Sequence, residues 1–179
     1  MIMRPVVGLD LSLTSTGYSV GELRGTINSG HKGVERLNDI SNQIENLIAT
    51  NCPKNIVAVI EGYSFASRNS QAHAIGELGG VVRLTLFRLG ISFIEVPPTC
   101  RAKFATGRGN ASKNEVISAV SARTGIIWSG KGADDEADAF ILEEMGLAVQ
   151  GNARFDWPKV NLEALEKVDW SQLTEIIND

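Results

Sequence analysis

Val6-Val7-Gly8-Leu9-Asp10 is a short apolar run that ends on a carboxylate; Leu11-Ser12-Leu13-Thr14-Ser15 and then Thr16-Gly17-Tyr18-Ser19-Val20 follow it. A Val/Leu run that stops at turn residues has the pattern of a buried strand, and Thr16-Gly17 before Tyr18-Ser19-Val20 predicts a reversal and a return strand. The whole stretch therefore reads as a hairpin with Asp10 at its centre. Burying an unpaired carboxylate costs several kcal/mol, so an Asp among apolar neighbours is satisfied by backbone donors, by a cation, or by water in a cleft. Turn capping is the plain alternative for such a residue.

Working outward, Thr26 to Gly33 reads as a third strand that completes an antiparallel meander. Glu35 to Thr50 follows as an amphipathic helix with Leu37, Ile40, Ile44, Leu47 and Ile48 on one face, closed by Cys52-Pro53. Ile56-Val57-Ala58-Val59-Ile60 is continuously apolar, as in a central strand covered on both faces, and it stops at a second carboxylate, Glu61. Asn69 to Leu89 predicts a long helix. Its Gly76, Gly79 and Gly80 each cost about 1 kcal/mol relative to Ala, which implies close approach of another backbone. Ser92 to Val96 is a further strand, closed by Pro97-Pro98. The exposed loop Thr106-Gly107-Arg108-Gly109-Asn110 precedes a helix from Ser112 to Thr124 with a Ser112/Glu115 capping box, and a last helix spans Asp134 to Val149. Three antiparallel strands, a helix, a parallel-type strand, a helix, a strand and more helices make an α/β protein: an RNase H-like, five-stranded mixed sheet flanked by helices.

The bulk properties agree with this reading. The 179 residues suit one domain with a real core; 43% are hydrophobic and 21% charged, ordinary values for a soluble protein. No run approaches the roughly 18 apolar residues of a membrane span, and no secretory signal is read at the start. With only Cys52 and Cys100, a disulfide framework is excluded, and a cytoplasmic location is expected. The formal net charge of −4 hides a segregation: between Gly62 and Ala133 nine Lys/Arg face three Glu, whereas from Asp156 onward six acidic residues face two lysines. A basic middle is compatible with phosphate binding. Residues 1–150 read as the RNase H-like domain and residues 151–179 as an acidic amphipathic extension. From Asn161 to Ile177 the extension predicts one or two helices that either cap the core or cover a dimer or DNA surface.

Asp134-Asp135-Glu136-Ala137-Asp138 opens the last helix. Asp135 and Asp138, three apart, share a face within about 5–6 Å. Capping and the helix dipole favour acids in a first turn, which accounts for one or two of them. Asp138 lies where the helix turns an apolar face to the core, and its carboxylate needs a partner. Two strand-terminal carboxylates and an acidic helical pair form an all-oxygen donor set suited to Mg²⁺ or Mn²⁺. Such a set favours two-metal phosphodiester hydrolysis.

Gly8-Leu9-Asp10 with the trailing Thr16-Gly17-Tyr18, Ile60-Glu61, Ile75-Gly76-Glu77-Leu78-Gly79-Gly80-Val81, and Asp135-Glu136-Ala137-Asp138-Ala139 together resemble the RuvC-type Holliday junction endonucleases of the RNase H-like superfamily. The resemblance covers about Val6 to Gly146. It implies metal ligands at Asp10, Glu61, Asp135 and Asp138, with Asp134 a substitute or helper for Asp135. It also implies lysines near the scissile phosphate, here Lys103 and Lys113, and an aromatic that stacks on an unpaired base, here Phe65 with Tyr63 as runner-up. Arg68, Arg101 and Arg108 are then candidate phosphate contacts. The chain departs from the family in being acidic overall and in carrying the tail.

The expected protein is thus a Mg²⁺-dependent endonuclease, with two ions per site and Mn²⁺ able to substitute. By resemblance it acts as a homodimer on branched DNA, nicking opposed strands of a four-way junction. Other branched DNA, R-loops or RNA–DNA hybrids are alternative substrates on the same fold. An actin-like small-molecule kinase is an alternative of another class, because Asp10 to Gly17 also resembles a phosphate-binding hairpin. A binding protein that has lost catalysis is a third.

Overall fold

The computed structural model describes residues 3–62 and 71–174. Its centre is a five-stranded sheet in the order β3-β2-β1-β4-β5. Strand β1 (Val6–Asp10) pairs antiparallel with β2 (Thr16–Val20), which pairs antiparallel with β3 (Leu23–Ile27). On its other side β1 runs parallel to β4 (Val57–Glu61), and β4 parallel to β5 (Ser92–Val96). Parallel neighbours need crossovers, and helices α1 (Gly33–Asn51) and α2 (Gln71–Arg88) supply them. Helices α3 (Pro98–Thr106), α4 (Lys113–Thr124) and α5 (Ala133–Val149) follow β5.

Alternation along each strand sorts the side chains onto two faces. Val7, Leu9, Ala58 and Ile60 pack with Ile40, Ile44, Leu78 and Val82 of α1 and α2. Val6, Val57, Val59 and Val96 pack with Phe104, Val120, Phe140 and Met145 of α3 to α5. Helix α5 lies along β1 and β2 on this second face, and two glycines set its distance. A Cβ on Gly8 would stand 2.0 Å from the Ala139 carbonyl oxygen, and one on Gly17 2.0 Å from that of Asp135. Only glycine lets the helix backbone rest directly on these strands.

The structure corrects several expectations. Gly17 does not make the first reversal; it lies within β2, and residues 11–15 turn the chain. The third strand begins earlier than Thr26, because Gly21 and Glu22 form a two-residue turn, Gly21 at φ 59°, that pairs Val20 with Leu23. Helix α3 stands where only a strand end and a loop were expected. The tail folds as α6 (Lys159–Leu162), a 3-10 turn (Leu165–Lys167) and α7 (Ser171–Thr174) instead of longer helices, with residues 175–177 outside the described part.

These short pieces are anchored by burial. Trp157, Ala164, Trp170 and Leu173 join the core of the α5 face. The Trp157 ring lies 4.4 Å from that of Phe104, its Nε1 donates to the buried Glu144 at 3.0 Å, and Asn161 Nδ2 donates to the Phe104 carbonyl at 2.6 Å. Arg154 bridges Glu143 and Glu144 on α5. Cys52 and Cys100 are free thiols, and no helix among the described residues is long and apolar enough to cross a membrane.

Candidate active site

Strands β1 and β4 are parallel neighbours with Leu9 opposite Ile60, so the next residues, Asp10 and Glu61, end adjacent strands side by side. Alternation turns both toward the face that α5 covers. The start of α5 brings Asp134, Asp135 and Asp138, and the contact at Gly17 seats the Asp135 turn on β2. Asp138 is 5% exposed and Asp10 9%, so both carboxylates are withdrawn from water.

One cation answers this charge from within. The Arg101 guanidinium reaches from α3 and bonds Glu61 through Nε and Asp138 through Nη1. Burial pushes the Asp10 carboxyl well above the usual range, and repulsion from Glu61 and Asp138 pushes it further. Burial likewise raises Asp138 to about 7, with Arg101 pulling it down and Glu61 pushing it up. Burial also works against the charge of Arg101, but Glu61, Asp138 and Asp10 outweigh it and hold the guanidinium protonated. One guanidinium thus faces three carboxylates, and burial holds two of them, Asp10 and Asp138, toward their protonated forms.

Asp135 is raised by burial, offset by the Ser15 hydroxyl beside it. Asp134 points outward and accepts a hydrogen bond from Lys113 Nζ at 2.6 Å, which lowers the acid and raises the amine. Lys113 therefore stands at the rim of the cluster. Lys103 instead bonds Glu163 of the tail at 2.9 Å. Arg108 pairs with Glu115 at the surface. Tyr63, Phe65 and Arg68 lie outside the described residues. Arg101, a candidate phosphate contact by sequence, lies within the acidic cluster with its side chain 12% exposed; the missed helix α3 is what carries it there. Sequence reading also missed Glu143, which accepts from Ser19 Oγ at 2.6 Å and from the Gly21 amide at 2.7 Å and so ties α5 to the β2–β3 turn. A second carboxylate pair well inside an apolar helix was the available signal.

The hydroxyls after Asp10 serve their own turn. Thr16 Oγ1 donates to the Ser12 carbonyl at 2.7 Å and accepts from the Ser12 amide at 3.2 Å, and the Ser12 and Thr14 hydroxyls bond each other at 3.1 Å. A kinase hairpin would aim such groups at a nucleotide, and the described residues include no second lobe to hold one.

The family model described as crossover junction endodeoxyribonuclease RuvC matches residues 6–143, from the start of β1 through most of α5. The chain belongs to the RuvC family. It is therefore an endodeoxyribonuclease, a phosphodiester hydrolase. The RuvC of Synechococcus sp. strain WH7803 is 31% identical over 152 residues, covering 79% of this chain and 96% of that protein. The RuvC of Sorangium cellulosum is 27% identical over 159 residues, covering 83% and 87%. Among solved structures, Thermus thermophilus RuvC in complex with a Holliday junction substrate superposes with a TM-score of 0.66 at 20% identity, covering 86% of this chain and 99% of that one, which shows the shared fold.

RuvC membership implies dependence on a divalent metal ion, and the donor set suits one. Asp10, Glu61, Asp135 and Asp138 offer only hard oxygen ligands, and the repulsion from Glu61 and Asp138 that adds to burial in raising Asp10 is what a divalent cation would relieve. As the side chains stand, Arg101 takes oxygens of Glu61 and Asp138, and among the described residues no three acidic, His or Cys side chains converge as an ion would need.

Proposed function

We propose that this RuvC-family protein resolves four-way DNA junctions by paired, symmetric nicks, as a homodimer using two Mg²⁺ ions per site, with Mn²⁺ able to replace them. The observation that carries the reading is the grouping of Asp10, Glu61 and Asp138 where two central strands end under α5, with Arg101 bonded to two of the three. Asp10, Glu61 and Asp138 hold the ions, and Asp135 completes the set, with Asp134 holding Lys113. Ions at these oxygens supply Lewis-acid activation of water and phosphate. Lys113, exposed at the rim and paired with Asp134, supplies positive charge to a phosphate oxygen that gains negative charge in the reaction. Lys103 serves the same charge from the next helix once free of Glu163. Arg108 and Arg68 position the backbone, and Phe65 or Tyr63 stacks on an unpaired base, a contact worth about 1–3 kcal/mol.

A two-fold substrate is met by a two-fold protein, and α2 supports the dimer. Gly76, Gly80, Leu84 and Phe87 are spaced by four, four and three residues and line one stripe. A Cβ on Gly80 would meet no described atom within 4 Å, Leu84 is exposed, and Phe87 is 76% exposed. The extension beyond residue 150 acts as a cap on the α5 face, the role its buried tryptophans support.

The test is an end-labelled synthetic junction beside linear duplex, flap and RNA–DNA hybrid, each with Mg²⁺ or EDTA. Paired metal-dependent nicks near the crossover are expected. Cleavage of the flap or hybrid in preference to the junction would overturn the substrate.

A further inference from the structure

We propose that Arg101 is a resident counter-ion that competes with the divalent cation for Glu61 and Asp138, so that the protein closes its own metal centre until the guanidinium is drawn away. The inference rests on the assignment of these carboxylates as metal ligands.

Arg101 is the fourth residue of α3, and its side chain is 12% exposed. It bonds a carboxylate of the sheet and one of α5 at once, while Lys103, two residues on in the same helix, turns to the tail. Without this cation three carboxylates would face one another in a site with little water, and breaking a buried pair by removing one partner is strongly destabilising. Arg101 therefore stabilises the metal-free fold. The same two bonds occupy one oxygen of each carboxylate, Glu61 Oε2 and Asp138 Oδ1, and an oxygen committed to a guanidinium N–H is a poor ligand. An ion that takes these oxygens displaces the guanidinium. Arginine forms bidentate bonds to phosphate as well as to carboxylate, so a DNA backbone at the site is the acceptor that would receive it. Metal and DNA affinities would then rise together, because such coupling is reciprocal.

The test measures Mn²⁺ binding by calorimetry, together with thermal unfolding in EDTA and in Mn²⁺, for wild type, Arg101→Gln, Arg101→Lys, Glu61→Gln and Asp138→Asn without DNA. Arg101→Gln should bind Mn²⁺ about tenfold or more tightly than wild type, within the usual range of coupled sites. It should also melt lower in EDTA and gain more from the ion. Arg101→Lys keeps a positive charge but loses the fork geometry, so it should remain folded and fall between the two. If both Arg101 variants bind Mn²⁺ no better than wild type while the carboxylate variants lose binding, the competition is refuted and the site stands. If Glu61→Gln and Asp138→Asn bind as wild type does, the ion sits elsewhere, and both the site and the competition are refuted.

Discussion

Gly17→Ala adds one methyl group at the point where β2 meets the active-site helix. The new Cβ would lie 2.0 Å from the Asp135 carbonyl oxygen and 2.4 Å from its carbon, where ordinary contact begins at 3.4 Å. The helix start must retreat by about 1.4 Å, since both partners are backbone and neither can rotate away. Overpacking of this kind costs about 1–3 kcal/mol. At about 2–4 °C per kcal/mol for a chain of this size, melting should fall by roughly 2–12 °C. Activity should fall further than stability, because Asp135 and Asp138 ride on the displaced turn, and a displacement of about 1 Å at a reacting centre can cost on the order of 100-fold. Junction nicking at saturating Mg²⁺, measured well below the melting temperature, is the assay. A variant that melts lower yet nicks at the wild-type rate would show that the Gly17 contact does not position the carboxylates.

Three further outcomes are expected. Lys113→Ala should lower nicking by roughly 100-fold or more with little change in melting, since the side chain is exposed and its loss removes only charge stabilisation at the phosphate; unchanged kcat would place it outside the chemistry. Trp157→Ala should destabilise by about 3–5 kcal/mol in a denaturant titration, as it empties the space against Phe104 and removes a donor from the buried Glu144, whereas an exposed tail would cost almost nothing. In EDTA, Asp138 keeps its proton to about pH 7 when folded but releases it near 3.8 when unfolded, so the folded state binds more protons between those values. Melting of the metal-free protein should therefore fall as pH rises from 4 to 7, and Asp138→Asn should flatten that slope; identical slopes in the two proteins would show that Asp138 is not the group responsible.

Much of this site is legible in sequence because strand ends and helix starts leave local marks. Asp10 and Glu61 each close a short apolar run, Asp135 and Asp138 share a helical spacing, and the Ser112/Glu115 capping box forms as read. What escapes is settled by tertiary contact. Helix α3 follows two prolines that read as a stop, although Pro98 at the first helical position is itself a start signal. Missing α3 hid that Arg101 is carried into the acidic cluster. Gly17 read as a turn residue because nothing local announces that a helix 118 residues later will lie against it. The tail's apolar residues read as one or two helices from Asn161, but the 3-10 turn at Leu165–Lys167 and the extended backbone at Val168 break the run into short pieces.

The central claim is that Asp10, Glu61 and Asp138 form the cleavage centre of a junction-resolving enzyme. The most direct measurement compares junction binding and junction cleavage by wild type and Asp138→Asn in the same buffer, with Ca²⁺ for binding and Mg²⁺ for cleavage. The account predicts a variant that binds the four-way junction within a fewfold of wild type and leaves both opposed strands uncut. A variant that still makes the paired nicks would contradict it.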